Sequence, residues 1–223
     1  MLVLGVDGCG DGWLVVALVD GRFDSARLLP SVAGALELYP SAECVAIDIP
    51  IGTEPDGFRA VDVAARKLLG PARSTLFETP PIEVLRQSTY AAALALCRKL
   101  TNKGLSRQAY GLREKILEVE PIAAQDDRII EVHPEVCFRR LAAGGAIQRK
   151  KTWNGLMQRR RLLESVGIIV PDSLDEAGQR AGPDDVVDAA AAAWTAGRKG
   201  RGVAERIENT LGGVATRTPA IWF

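Results

Sequence analysis

Four aspartates have the residue type and the spacing to do chemistry together. Asp7 and Asp48 lie near the ends of two short apolar runs, and this pattern predicts two buried strands. Asp185 and Asp188 are three residues apart, so they share one face of a predicted helix. Carboxylates gathered in this way would repel one another unless a cation lies between them. Mg²⁺ or Mn²⁺ prefers carboxylate oxygen, and we therefore expect these four aspartates to be metal ligands.

Such a site could cleave phosphodiester bonds without help from other side chains. Two metal ions roughly 4 Å apart can activate a water molecule and stabilise the leaving oxygen. This chemistry needs no histidine, which suits a chain whose one histidine is His133. Glu131 is the next candidate ligand, and His133 is either a proton carrier or a core residue. The alternative is structural: an aspartate before glycine suits a turn, and acids favour the first turn of a helix.

A basic stretch supplies candidates for phosphate contacts. No acid occurs between Val136 and Leu163, whereas eight arginines and lysines do. We expect Lys150 and Lys151 from this stretch, together with Arg73, to bind the phosphates of a nucleic acid. The alternative is a solvated helix face.

Composition excludes several other classes of protein. The chain has 223 residues, of which 47% are hydrophobic and 25% are charged, an ordinary globular mixture. Lys plus Arg and Asp plus Glu are both 28, which argues against a protein that coats nucleic acid but not against a local binding face. No apolar run is long enough for a membrane span, and the first residues do not resemble a signal peptide. Four scattered cysteines without a CxxC pair indicate reduced thiols and a cytoplasmic location, and zinc ligand spacing is absent.

The hydrophobic pattern predicts elements that would bring the aspartates together. Three consecutive strands with short turns indicate an antiparallel meander, and a helix then leads to a fourth strand. The right-handed crossover rule places this fourth strand beside the first, with Asp7 and Asp48 at the same edge. The predicted elements are strands ending at Asp7 and covering Trp13–Val19, Phe23–Leu29 and Cys44–Ile49, with a helix at Val32–Leu38.

The remaining pattern predicts a helical insertion and one more central strand. Residues from about 53 to 127 are interpreted as this insertion within a single domain, 1–223. The predicted fold class is α/β, with a mixed five-stranded sheet of three antiparallel and then parallel strands, flanked by helices. The predicted elements here are helices at Arg59–Leu69, Ser88–Lys99, Arg107–Glu120, Trp153–Val166 and from Pro183, and strands at Arg128–His133 and, at an edge, Ala220–Phe223.

Six motifs along nearly the whole chain resemble those of a family of uncharacterised predicted RNase H-like nucleases. The Asp-x-x-Asp-Ala pattern at 185–189 is also similar to the C-terminal acidic motif of Holliday-junction resolvases, and Asp7 and Asp48 match acids on the first and fourth strands of those enzymes. The motifs are Val-Asp-Gly-Cys with Gly-Trp (6–13), Ala-Ile-Asp-Ile-Pro-Ile-Gly (46–52), Ala-Arg-Lys-Leu-Leu-Gly (65–70), Ile-Glu-Val-His-Pro-Glu (130–135), Lys-Lys-Thr (150–152) and Asp-Asp-Val-Val-Asp-Ala (184–189).

The resemblance implies an RNase H-like fold, a divalent metal and a nucleic-acid substrate, DNA or RNA. The helical insertion and the neutral charge differ from a typical resolvase and argue against junction DNA. One alternative is a phosphotransferase or ATPase of the actin-like type, in which residues 7–12 would form the phosphate-binding hairpin; such proteins usually contain two domains of this kind, and one is found here. Another alternative is a non-enzymatic binding module that retains the fold. The sequence leaves the oligomeric state open, a homodimer included.

Overall fold

The computed structural model describes residues 1–10, 12–208 and 218–223. The chain forms two compact units with an α/β fold. The first comprises Met1–Asp48, Arg128–Glu205 and Trp222–Phe223, and the second comprises Ile49–Asp127 and Arg206–Ile221. The prediction of a single domain with an insertion at about 53–127 stays a prediction.

An antiparallel meander opens the first unit. Strand β1 (Leu2–Cys9) pairs with β2 (Gly12–Val19), and β2 pairs with β3 (Arg22–Leu29). These strands form where the chain places β-branched and other apolar residues in short runs separated by turn residues. The three strands predicted from the sequence are confirmed.

The crossover from the meander brings a parallel strand to the other side of β1. Helix α1 (Val32–Leu38) begins after Ser31, whose side chain accepts a hydrogen bond from the backbone N of Gly34. It leads to β4 (Cys44–Ile47), which pairs with β1 in parallel, with Val6 opposite Ile47. The predicted neighbourhood of the first and fourth strands is therefore confirmed.

The second unit is largely helical and has a core of its own. Val84, Ala93, Cys97, Leu105 and Ala109 are buried together. Its helices are α2 (Ala60–Leu69), a 3₁₀ helix (Gly70–Thr75), α3 (Ile82–Leu85), α4 (Tyr90–Thr101), α5 (Arg107–Gly111) and α6 (Arg113–Ala123).

The first unit continues with one strand and four helices. Strand β5 (Ile129–Val132) pairs with β4 in parallel, with Ile47 opposite Glu131. The helices are α7 (Pro134–Leu141), α8 (Trp153–Glu164), α9 (Asp175–Arg180) and α10 (Pro183–Gly200).

The sheet is mixed and contains seven strands in the order β3-β2-β1-β4-β5-β7-β6, where β6 is Arg206–Glu208 and β7 is Ala220–Trp222. The predicted number of five strands was wrong. Strand β7 lies where the C-terminal strand was predicted, whereas β6 has only three residues, too few to show a clear alternation of apolar and polar residues. The prediction that the C-terminal strand lies at an edge was also wrong, since β7 has a neighbour on both sides.

Helix α10 packs closely against the centre of the sheet. Its residues 186–197 are all buried, and five consecutive alanines, 189–193, lie within this run. A methyl group added at Gly5 of β1 would lie 1.9 Å from the backbone O of Ala189 and 2.2 Å from the backbone N of Ala193. Only glycine allows this approach, so Gly5 and the alanines together set the distance between α10 and β1.

No helix among the described residues is long and apolar enough to cross a membrane.

Candidate metal centre

The ends of β1 and β4 bring two carboxylates to the same edge of the sheet. Asp7 follows Val6 and Asp48 follows Ile47, which is the residue paired with Val6. The backbone N of Asp48 donates to the O of Val6 at 2.9 Å and extends the ladder by one residue. Because side chains alternate along a strand, Asp7 lies on the face of Val3 and Gly5, the face covered by α10.

The first turns of α10 supply three further carboxylates. The side chain of Asp185 accepts a hydrogen bond from the backbone N of Gly182 at 3.1 Å and caps the helix. Asp188 lies one turn further along, and its side chain is only 2% exposed, whereas that of Asp184 is 23% exposed. We call these three residues, together with Asp7 and Asp48, the acid cluster: Asp7, Asp48, Asp184, Asp185 and Asp188.

Lys150 lies among these acids. Its ammonium Nζ is 2.6 Å from Oδ2 of Asp188 and 3.8 Å from Oδ2 of Asp184. The other carboxylate oxygen of Asp188, Oδ1, is buried and has no hydrogen-bond partner within the described part of the chain. A buried acceptor without a donor is costly, so this oxygen marks a place where a ligand would be stabilising.

Burial and mutual repulsion raise the pKa values of the carboxylates. Burial raises the pKa of Asp48 to about 8, the charge of Asp188 raises it too, and Lys150 opposes both. Burial likewise raises the pKa of Asp188 to about 6 against the effect of Lys150. The pKa of Asp7 lies well above its ordinary value because of burial and the charges of Asp48, Asp188 and Asp185. These aspartates are therefore close enough to repel one another when ionised.

The residues present fit a divalent cation on two grounds. The first is that carboxylates surround the ammonium of Lys150: burial lowers its pKa, but Asp188, Asp7 and Asp48 raise it by more and keep it charged. The buried Oδ1 of Asp188 is the second ground. Among the described residues, no three His, Cys, Asp or Glu side chains are already spaced as metal ligands. The fit consequently rests on charge and on the unpartnered oxygen.

A comparison with family models matches residues 5–210 to the family described as protein of unknown function (DUF429). The chain belongs to this family. The matched region contains the whole acid cluster and Lys150. Neither a curated protein nor a solved structure matches the chain.

Two side chains of this DUF429 chain support the site but were not singled out from the sequence. Arg159 is buried, and its Nη2 donates to Oε1 of Glu135 at 2.6 Å. The charge of Glu135 contributes to raising the pKa of Asp48 and Asp188. The His-Pro-Glu motif at 133–135 could have identified Glu135 from the sequence, since Pro134 starts α7 and puts Glu135 in the first turn.

Glu131 and His133 are placed differently from the acid cluster. Glu131 is buried on β5 opposite Ile47, so alternation puts its side chain on the face away from Asp48. Its charge still contributes to raising the pKa of Asp48. His133 is the residue immediately before α7. The roles expected for both residues stay predictions.

The basic residues predicted to bind phosphate have different environments. Lys150 lies in the acid cluster, Lys151 is exposed beside it in the chain, and Arg73 is exposed on the 3₁₀ helix of the second unit. Four residues of the basic stretch form ion pairs with other described residues. These pairs are Arg140 with Glu205, Lys150 with Asp188, Arg159 with Glu135 and Arg160 with Asp172.

Proposed function

We propose that the protein is a metal-dependent nuclease of the RNase H-like type. The acid cluster would bind Mg²⁺ or Mn²⁺, and the reaction would be hydrolysis of a phosphodiester bond in nucleic acid. The observation that carries this proposal is the buried Oδ1 of Asp188, which lacks a partner among the described residues beside two strand-end aspartates.

The topology supports the proposal. Within the sheet, β3-β2-β1 are antiparallel and β1-β4-β5 are parallel, which is the arrangement that the resemblance to RNase H-like nucleases implies. The acids come from the first strand, the fourth strand and a late helix, as the resemblance to resolvases implies. Ligands favour the carboxyl ends of parallel strands, where Asp7 and Asp48 lie.

Each group of side chains would have a defined task. A bound cation would supply a hydroxide near neutral pH and polarise a phosphoryl oxygen. Asp7, Asp48 and Asp188 would hold that cation through carboxylate oxygen. Lys151 and Arg149 are exposed on either side of Lys150, and they would bind the phosphates of the substrate.

A cleavage assay tests this function. The protein is incubated with single-stranded DNA, single-stranded RNA, duplex DNA and an RNA–DNA hybrid, with Mg²⁺, Mn²⁺ or EDTA. We expect cleavage of at least one substrate that requires the metal. The variants Asp7→Asn and Asp188→Asn should each lose about 100-fold or more of the rate, since a metal ligand is removed.

The matched control is Asp172→Asn, because this aspartate is 95% exposed and lies outside the acid cluster. It should retain the rate of the natural protein. Cleavage that survives in both Asp7→Asn and Asp188→Asn would contradict the proposed site. Stabilisation by ATP with Mg²⁺ beyond that by Mg²⁺ alone would favour a phosphotransferase. The phosphate-binding hairpin predicted for this alternative, residues 7–12, includes Asp11, which lies outside the described residues. Stabilisation by metal without turnover on any substrate would favour a binding module.

A further inference from the structure

Lys150 is held in the acid cluster by its own loop. The side chain of Gln158 accepts from the backbone N of Gln148 and donates to the O of Ala146, both at 2.8 Å. Nη1 of the buried Arg159 donates to the O of Gln148 at 2.7 Å. The residues just before Lys150 are therefore fixed by two side chains of α8.

The chain after Lys150 is fixed as well. The hydroxyl of Thr152 accepts from the backbone N of Gly155 and caps α8. A methyl group added at Gly155 would lie 2.0 Å from the backbone O of Arg149, so only glycine lets the loop pack this closely. Both flanks of Lys150 are thus anchored to α8, and its ammonium is presented to Asp188 from a defined position.

The carboxylate oxygens divide into two sets around this ammonium. Oδ2 of Asp188 and Oδ2 of Asp184 face Lys150 at 2.6 and 3.8 Å. Oδ1 of Asp188 does not bind it and is buried without a partner in the described chain. Arg159, a buried cation on α8, is engaged by Glu135. One side of Asp188 is therefore already neutralised by a lysine, and the other side is not.

We infer that the ammonium of Lys150 takes the place of a second metal ion, so that the acid cluster binds one divalent cation, through Oδ1 of Asp188 with Asp7 and Asp48. This inference rests on the proposed function for the identity of the ligand. It makes Lys150 part of the cation site, in contrast to the exposed Lys151, which remains available for phosphate.

Calorimetric titration with Mn²⁺ at neutral pH tests the stoichiometry without reference to activity. We expect one ion per chain for the natural protein. In Lys150→Met the position of the ammonium becomes free and the repulsion of the metal is removed. This variant should therefore bind two ions, the first of them at least about tenfold more tightly. Lys151→Met changes the charge equally at the next residue and should still bind one ion with an affinity within about threefold.

The outcomes separate the inference from the proposed function. Two ions bound by the natural protein, or one ion bound by Lys150→Met with unchanged affinity, would overturn the inference while leaving metal-dependent cleavage intact. One ion bound without cleavage of any substrate would overturn the nuclease proposal and leave the inference standing. No ion bound would overturn both. If Lys150→Met does not fold, Lys150→Gln decides: two ions bound would support the inference, and one ion bound with unchanged affinity would overturn it.

Discussion

Asp188 has two carboxylate oxygens in different environments, and the difference between them defines what the site can bind. Oδ2 accepts from Lys150 at 2.6 Å, while Oδ1 is buried with no partner in the described chain. A buried acceptor without a donor is destabilising, and Asp188 retains such an oxygen beside Asp7 and Asp48. At the scale of the single residue, this oxygen therefore lowers the stability of the protein, and a bound cation would offset the loss.

Asp48→Asn should stabilise the metal-free protein, and more so as the pH rises. The pKa of Asp48 is raised to about 8 in the folded protein, so the folded state holds this proton more tightly than the unfolded state does. The contribution of Asp48 to the free energy of unfolding is therefore lost as the pH rises from about 4 to 8. Asparagine does not ionise, so its contribution stays the same over this range. We expect Asp48→Asn to raise the free energy of unfolding at pH 8.5 by about 1–3 kcal/mol, measured by urea denaturation with EDTA.

The same measurement at pH 5 should show a smaller gain. Asp56→Asn is the control, because this aspartate is exposed and lies outside the acid cluster, and its effect should be within about 0.5 kcal/mol at both pH values. A difference between Asp48→Asn and the natural protein that shrinks with rising pH would contradict the account.

Arg159→Met should destabilise the protein strongly. The guanidinium is 1% exposed and binds the 11% exposed Glu135 and the loop before Lys150, so its loss removes the cation that pairs with this largely buried carboxylate. We expect a loss of about 3–5 kcal/mol in the free energy of unfolding. The control is Arg161→Met, an exposed position of the same helix, which should change the free energy by less than about 0.5 kcal/mol.

The double variant Arg159→Met with Glu135→Gln should recover part of this loss, because the unpaired charge is then removed. Equal destabilisation by Arg159→Met and Arg161→Met would rule out the role assigned to the buried pair.

Some of the residues that form the site could be predicted from the sequence. Asp7, Asp48 and Asp188 could be grouped because strand ends and helix faces follow from local spacing. The pairing of Arg159 with Glu135, 24 residues away, depends on how α8 packs against α7, which no local pattern specifies. Lys150 was predicted to bind phosphate, but its ammonium contacts Asp188. This contact also depends on packing between distant parts of the chain, which no local pattern specifies.

At the scale of the element, the contact between β1 and α10 sets the geometry of the site. Backbone meets backbone at Gly5, and the alanine run of α10 leaves no long side chain between helix and sheet. The consequence is that Asp188 is held beside Asp7 rather than one side-chain length away. The small residues are thus needed for position as well as for packing.

Gly5→Ala should therefore disturb both stability and metal binding. Its methyl group would overlap the backbone of α10 and force the helix away from the strand. Overpacking of a buried site costs about 1–3 kcal/mol, and backbone cannot give way as a side chain does. Urea denaturation should show at least this loss, and the stabilisation by Mn²⁺ in a thermal melt should fall.

Gly111→Ala is the control, since a methyl group there would meet no atom within 4 Å. It should leave the free energy of unfolding within about 0.5 kcal/mol of the natural protein, or raise it slightly. Tolerance of Gly5→Ala to the same degree would show that α10 does not need this close approach.

Elements with a strong hydrophobic pattern or clear turn signals were predicted well, and elements without them were not. The meander, α1 and β4 carry strong periodicity and turn signals, and α10 has its proline and alanines. Helix α7 was not predicted, although a proline directly after a strand, as at Pro134, also suits the first helical position. The helix predicted at Arg107–Glu120 is divided into α5 and α6 around Leu112. Strand β6 is too short for any period to show.

At the scale of the whole molecule, charge is balanced overall and segregated locally. Lys plus Arg equals Asp plus Glu at 28 each, yet the acid cluster concentrates five carboxylates around one lysine. Half of the basic stretch is engaged in ion pairs, while Arg149, Lys151 and Arg161 are exposed. The proposed binding of nucleic acid would therefore use a small face, and the affinity should fall only moderately with salt.

Anomalous diffraction from crystals soaked in Mn²⁺ tests most directly whether the acid cluster binds a divalent cation. We expect one strong anomalous peak within bonding distance of Oδ1 of Asp188, with Asp7 or Asp48 as a further ligand, and no such peak in crystals of Asp188→Asn. Crystals of the natural protein in which Mn²⁺ binds elsewhere, while Oδ1 of Asp188 contacts only protein or water, would contradict the proposed cation site.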